Sequence, residues 1–229
     1  MTRTLRFAAF TLATLAIGAG LVPTKADALP RYGARYEQGC ALCHVNPTGG
    51  GQRTPYAVQQ LIPRELSWPS SASGRPVDLD PRLGKNLLIG ADFRELYVTS
   101  GDPANRLDFF QMQGNVYLSF IPEERFTLYF DRGSSDTYEL FGLAYLLPWS
   151  GYVKAGRFVP CHGWKFDDHT MFVRSEEGFS PPAHTDVGVE LGAAPGPLDL
   201  QVALLNGNRG STVGADEHLA AAVNALCRF

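Results

Sequence analysis

Residues 108–121 read DFFQMQGNVYLSFI, and their alternation decides the fold. Phe110, Met112, Val116, Leu118 and Phe120 fall on one side; Gln111, Gln113, Asn115 and Ser119 fall on the other. A two-residue period of this kind is the mark of a strand with two unlike faces. The next segment sets Phe126, Leu128 and Phe130 against Arg125, Thr127 and Asp131. Further on, Val187, Val189 and Leu191 oppose Asp186 and Glu190, and Leu198, Leu200, Val202 and Leu204 oppose Asp199 and Gln201. The pattern predicts eight strands, at 87–99, 106–121, 124–131, 137–147, 151–159, 185–193, 198–205 and 217–229. A mostly β fold follows.

The connections alternate in length. Short turns fall around Pro122, Trp149 and Pro195-Gly196; longer ones cover Gly101–Asn105, Arg132–Asp136, Pro160–His184 and Asn206–Asp216. Short periplasmic turns and long outer loops are the habit of outer-membrane barrels, whose lumen-facing residues are polar. The expected architecture is therefore an antiparallel, transmembrane β-barrel of about eight strands, with the Gln/Asn/Ser side inward. Tyr97, Tyr117, Phe120, Tyr129 and Phe130 are candidates for interfacial girdles. Leu219, Ala221, Val223, Ala225, Cys227 and Phe229 share one face, and a terminal aromatic there is similar to a barrel-assembly signal. The competing architecture is a soluble β-sandwich, which also alternates.

Upstream of residue 87 the chain changes character. Arg3 and Arg6 precede an apolar run from Phe7 to Val22, and Ala26-Asp27-Ala28 offers a small-x-small cleavage site. Residues 1–28 read as a secretory signal, the run being shorter than the roughly 20 residues of a spanning helix. Residues 67–86, with a Ser/Pro/Gly-rich stretch over Ser67–Arg75, read as a linker to a domain over 87–229. A net charge of -3 excludes nucleic acid as an expected partner.

Residues 29–66 carry the chemistry. Cys40-Ala-Leu-Cys43-His44 places two thiols on one helical turn, each able to bond a vinyl group of a haem, with a histidine next to them for the iron. A zinc site would want a second ligand pair, yet no further Cys or His occurs up to Asp80. A redox Cys-x-x-Cys would want a βαβ setting, which is missing, and a plain disulfide has no use for His44. The expected cofactor is one covalent haem c, held by Cys40, Cys43 and His44. Arg31–Gly39 is the expected delivering helix, with Tyr32, Tyr36 and Leu42 as its apolar contacts. Val45–Gly51 is the helix-breaking turn, in which Pro47 holds the backbone that orients His44. Tyr56–Leu61 reads as a second short helix stopped by Pro63. No Met or His follows within the segment, so no local second iron ligand is supplied. His169, in the long loop with His162 and His184, is the one distant candidate; solvated loop histidines are the bland alternative. Met112 sits on an apolar face and points to lipid or core. Lys165, Asp167 and Asp168 beside His169 fit a solvated loop as well as a metal. Cys161 and Cys227 fall at opposite ends of the barrel strands, too far apart to pair. No catalytic motif is present: no Ser/His/Asp set, phosphate loop or carboxylate pair.

The stretch Cys40-Ala-Leu-Cys-His-Val-Asn-Pro-Thr-Gly-Gly-Gly51, followed by Gly156-Arg-Phe-Val-Pro160, Gly163 and Asp167-Asp-His-Thr170, resembles bacterial outer-membrane proteins in which a mono-haem c-type segment precedes a porin-like barrel. The resemblance implies an electron-transfer cytochrome in the porin–cytochrome manner, exported to the outer membrane, with haem facing the periplasm. Its implied partners are outer-membrane lipid and other periplasmic or extracellular redox cytochromes. Barrels of that layout have more strands than the eight read here. Because an eight-stranded interior is filled by side chains, haem is expected below the barrel, at its periplasmic mouth. A soluble periplasmic cytochrome with a β-rich binding domain, and an outer-membrane channel with a structural haem, are the alternatives.

Overall fold

Eight long strands form where the alternation predicts them, and the structure, a computed structural model, adds a ninth short one. It describes residue 33 and residues 35–65, 79–99, 107–133, 137–163, 185–207 and 218–227. The strands are β1 (Arg82–Leu83), β2 (Leu87–Thr99), β3 (Leu107–Glu123), β4 (Phe126–Gly133), β5 (Tyr138–Leu147), β6 (Gly151–Phe158), β7 (Asp186–Ala193), β8 (Leu198–Leu205) and β9 (Ala220–Cys227). They make one antiparallel sheet in chain order, each strand paired with the next. The two sheets of a sandwich are not found among the described residues. Residues 82–83 were expected within a linker; they instead pair with Leu87–Leu88 through a turn at 84–86. The signal segment, most of the linker and His169 lie outside the described residues.

The two faces of the sheet are inverted relative to a soluble protein. Val116, Leu118, Phe120, Phe126, Leu128, Leu140, Val189, Leu191, Leu200, Val202, Leu204 and Val223 are exposed. The residues between them, including Tyr117, Ser119, Thr127, Tyr129, Asp131, Glu139, Lys154, Glu190 and Gln201, are buried. Register carries this across strands: Tyr117 faces Asp131, Tyr129 faces Phe141, Leu143 faces Lys154, and Lys154 faces Glu190. The polar inner face is as the sequence predicts, with one correction. Tyr117 and Tyr129, expected in the girdles, point inward, because strand parity puts them with Ser119 rather than with Phe120.

The sheet does not close into a barrel: β9 pairs with β8, and no described strand links it to β1 or β2. A backbone hairpin, residues 43–54, occupies the inner face. It is closed by Thr54 N–H on the Cys43 carbonyl (3.0 Å), a His44–Arg53 bridge and Val45 N–H on the Gln52 carbonyl (3.0 Å). Its Gln52 reaches Gly90 on β2, Ser119 on β3 and Tyr129 on β4, while Asn46 and Thr48 reach Lys154 on β6. In a flat sheet β2 and β6 lie about 19 Å apart, four spacings of about 4.8 Å, so the sheet must curl around so small a hairpin. A closed eight-strand ring has room for side chains or one small ligand; here the open, curled sheet holds the main chain of a hairpin.

Candidate haem site

The three candidate residues Cys40, Cys43 and His44 lie on one tight turn. Cys40–Leu42 is a 3-10 turn, with Cys43 at its C-cap and His44 N–H bonded to the Cys40 carbonyl at 2.9 Å. Both thiols are half-buried and free of disulfide bonds. Burial pushes the Cys43 thiol up from its ordinary value, and the nearby Arg53 charge opposes that rise. The run Gly49-Gly50-Gly51 then takes φ of 84°, 75° and 60°, three consecutive left-handed residues. Only glycine adopts that conformation cheaply, and it folds the chain straight back over the thiols. A side chain on Gly49 would meet the Cys40 sulfur, and one on Gly51 would run into the Tyr129 hydroxyl.

The fold-back sets the imidazole. His44 Nδ1 lies 2.9 Å from the Gly50 carbonyl, and Arg53 Nη1 donates to Nε2 at 3.0 Å. A guanidinium only donates, so Nε2 is the acceptor and Nδ1 carries the proton toward Gly50. The carbonyl that orients His44 is thus Gly50, not one held at Pro47 as expected. Pro47 instead sits in the turn where Asn46 Oδ1 receives the Thr48 hydroxyl at 2.9 Å. Thr54 locks the hairpin's other end, donating to the Leu42 carbonyl at 2.7 Å and accepting from Ala57 N–H at 3.3 Å. That bond caps the second helix. The helix does not stop at Pro63: a wide π turn, Ala57–Leu61, passes directly into Ile62–Glu65. Widening the turn just ahead of a proline absorbs the clash its ring makes with the preceding turn.

These residues fit a covalent haem better than a chelated metal ion. Among the described residues no three His, Cys, Asp or Glu groups converge as an ion-binding set. A c-type haem needs no such convergence, since the thiols bond carbon and only the imidazole meets iron. The imidazole here has its Nδ1 proton engaged by Gly50 and its Nε2 as the acceptor, taken up by Arg53, the tautomer that a histidine ligating through Nε2 needs. Arg53 also borders an open cleft of about 680 Å³ between the second helix and the start of the sheet. His169 lies outside the described residues, so it is not brought to this site here. Cys161 is buried, its thiol 3.7 Å from the Ala222 carbonyl.

Sequence reasoning missed the residues that seat the hairpin. Lys154 and Glu190 form an ion pair at 2.7 Å with neither side chain exposed. Tyr152 donates to Glu190 at 2.8 Å, and the Lys154 ammonium lies 4.4 Å from the Phe158 ring centre. Its remaining reach goes to Thr48 at 3.4 Å and Asn46 at 3.5 Å. A single Lys in a strand carries no signal of this role; only its opposition to Glu190 on the inner face does. No family model, curated protein or solved structure matches the chain.

Proposed function

We propose that this chain binds one haem c covalently and transfers electrons at the bacterial outer membrane. The observation that carries the reading is the His44 ring. Directly after two thiols on one turn, its Nδ1 is tied to Gly50 and its Nε2 left as the acceptor. Cys40 and Cys43 would tether the ring and His44 would bind the iron. The hairpin, held by Tyr129, Ser119 and Lys154, fixes both to the sheet. When bound, the group supplies a one-electron iron couple. The chain's own residues would set its position.

The membrane assignment rests on the inverted sheet. An apolar outward face with a charged, hydrogen-bonded inner face suits lipid and is costly in water. Among the described residues no helix is long and apolar enough to cross a membrane; in this reading the strands cross it. A soluble periplasmic cytochrome leaves that face unexplained. The partners that fit are lipid and other redox proteins.

Haem staining of a denaturing gel and a Soret spectrum of the exported protein test the first claim, with Cys43→Ala as control. Stain that survives denaturation in the parent and weakens in the variant is the expected result; no stain in the parent sinks the reading. A protein that stays in solution without detergent sinks the membrane part.

A further inference from the structure

The two edges of the sheet have features that point to each other. β1 pairs with Leu87 and Leu88 of β2 and goes no further, apart from one bond of 3.0 Å from Ile89 N–H to the Pro81 carbonyl. The cleft of about 680 Å³ opens there, and Ile89, Gly90, Ala91 and Asp92 line it in succession. Odd and even residues of a strand face opposite sides, so only an edge presents four consecutive ones. Beside Gly90, Gln52 lines the same cleft; it is buried, and its Nε2 has no hydrogen-bond partner among the described residues. An added main-chain carbonyl can satisfy that donor. The charges of the lining cancel, Arg53 and Arg82 against Asp80 and Asp92, which suits an uncharged segment. The other edge supplies one: β9 reads AAAVNALC, without a charge or a proline. It has none of the devices with which edge strands turn away a neighbour.

Strand direction selects the pairing. From β2 to β9 every strand is antiparallel to the one before it, so β2 and β9 run in opposite directions. β9 laid beside β2 of a second copy in the same orientation therefore continues the antiparallel ladder. It also keeps both apolar faces on one side and all the short turns at one end. Two β9 edges meeting each other would instead turn the copies upside down, so the choice of β2 rests on the membrane part of the reading above. We propose that two copies of this chain associate edge to edge, β9 of each adding as a strand to the β2 edge and cleft of the other. A two-fold axis along the strands makes the two seams alike, and the long strands β2–β9 of both copies close a ring of sixteen. A ring of that size encloses an open lumen instead of a packed interior. It has space for the hairpin of each copy, and it leaves no edge exposed.

The test uses the full exported chain in a Cys227→Ser background, with Phe93→Cys and Val223→Cys carried by separate, co-expressed copies. Both side chains are exposed on the outer face of their edge strands, so neither change touches the packed face. A short bis-maleimide added to lysed cells should give a band of twice the chain's mass from the co-expressed pair, and none from either variant or the background alone. Ala91→Cys with Ala225→Cys, exposed on the same strands, repeats the test further along the seam, with heat-dependent gel mobility as the fold control. Doubling in either pair is the expected result. Doubling in Val223→Cys alone means that β9 meets β9, and it overturns the arrangement. A cross-link inside one chain carrying both cysteines, with no dimer on co-expression, means that the sheet closes on itself and overturns it too. No cross-link in either folded pair gives the edges to another occupant and overturns the second copy. Cross-linking does not read haem, so a missing haem stain leaves the seam standing. A cross-linked dimer that stays in solution without detergent removes the membrane reading and keeps the seam.

Discussion

Two residues away from the motif decide whether the hairpin holds its place. Gly51 has φ +60° and no room for a side chain against the Tyr129 hydroxyl. Gly51→Ala should therefore destabilise the fold by about 2 kcal/mol or more, combining the cost of a left-handed alanine with a steric clash. Urea unfolding in detergent reads this as a lower midpoint, and an unchanged midpoint would show that the hairpin is not docked this way. Lys154 is the second. Removing it leaves Glu190 charged in a site where neither partner is exposed, so Lys154→Met should cost about 3–5 kcal/mol. Lys154→Met with Glu190→Gln should recover part of that loss, because the stranded charge is gone; a double variant as weak as the single one would assign the role to Lys154 packing over Phe158 instead. The proposed haem site is carried in the sequence by Cys40, Cys43 and His44 alone, since covalent attachment would impose a fixed spacing. Arg53 and Gly50 were not legible there. Their roles come from a hairpin register, which leaves no periodic trace in seven residues of turn.

At the scale of elements the long strands were legible to within three residues at each end, because each has one face in contact with protein and one without. Only β1 was missed: two residues, Arg82–Leu83, show no period. What alternation does not say is which face is inside. In β8, Leu200, Val202 and Leu204 are exposed while Gln201, Ala203 and Leu205 are buried. In water that face is indifferent to charge, and Val202→Arg would change stability by no more than about 0.5 kcal/mol. In a bilayer the same substitution costs about 2–4 kcal/mol near the midplane. We expect Val202→Arg to lose the compact band of unheated gels and to reduce the amount recovered in outer membranes. Ala203→Arg, on the crowded inner face, should fail in either setting and serves as the comparison. A Val202→Arg protein as abundant and compact as the parent would favour water over lipid.

The whole molecule has two features the linear pattern could not show. The hairpin is inside the curl of the sheet rather than beneath it, and the sheet is open, with β9 at its edge. The expected eight-strand ring had an interior filled by its own side chains, whereas this inner face is filled by the hairpin. In lipid an open edge leaves a row of unsatisfied N–H and C=O groups, so a membrane setting requires both β9 and the part of β2 beyond Leu88, which β1 does not pair, to be covered. Orientation can be tested independently of that cover. The connections 124–125, 148–150 and 194–197 lie at one end of the strands, and Thr99, Leu107, Gly133, Tyr138, Phe158, Asp186, Leu205 and Ala220, which flank the others, lie at the opposite end. Longer loops belong outside the cell. Pro197 and Asn206 flank β8 at its two ends, eight residues or about 26 Å of strand apart. In a Cys227→Ser background, which removes the exposed native thiol, a membrane-impermeant maleimide added to intact cells should label Asn206→Cys and spare Pro197→Cys. Both should label once the outer membrane is permeabilised. The reverse pattern would turn the sheet over and put the long loops in the periplasm. Equal protection of both sites in intact cells, with both released by osmotic shock, would return the chain to the soluble periplasm, where its apolar face would have to be covered by protein instead of lipid.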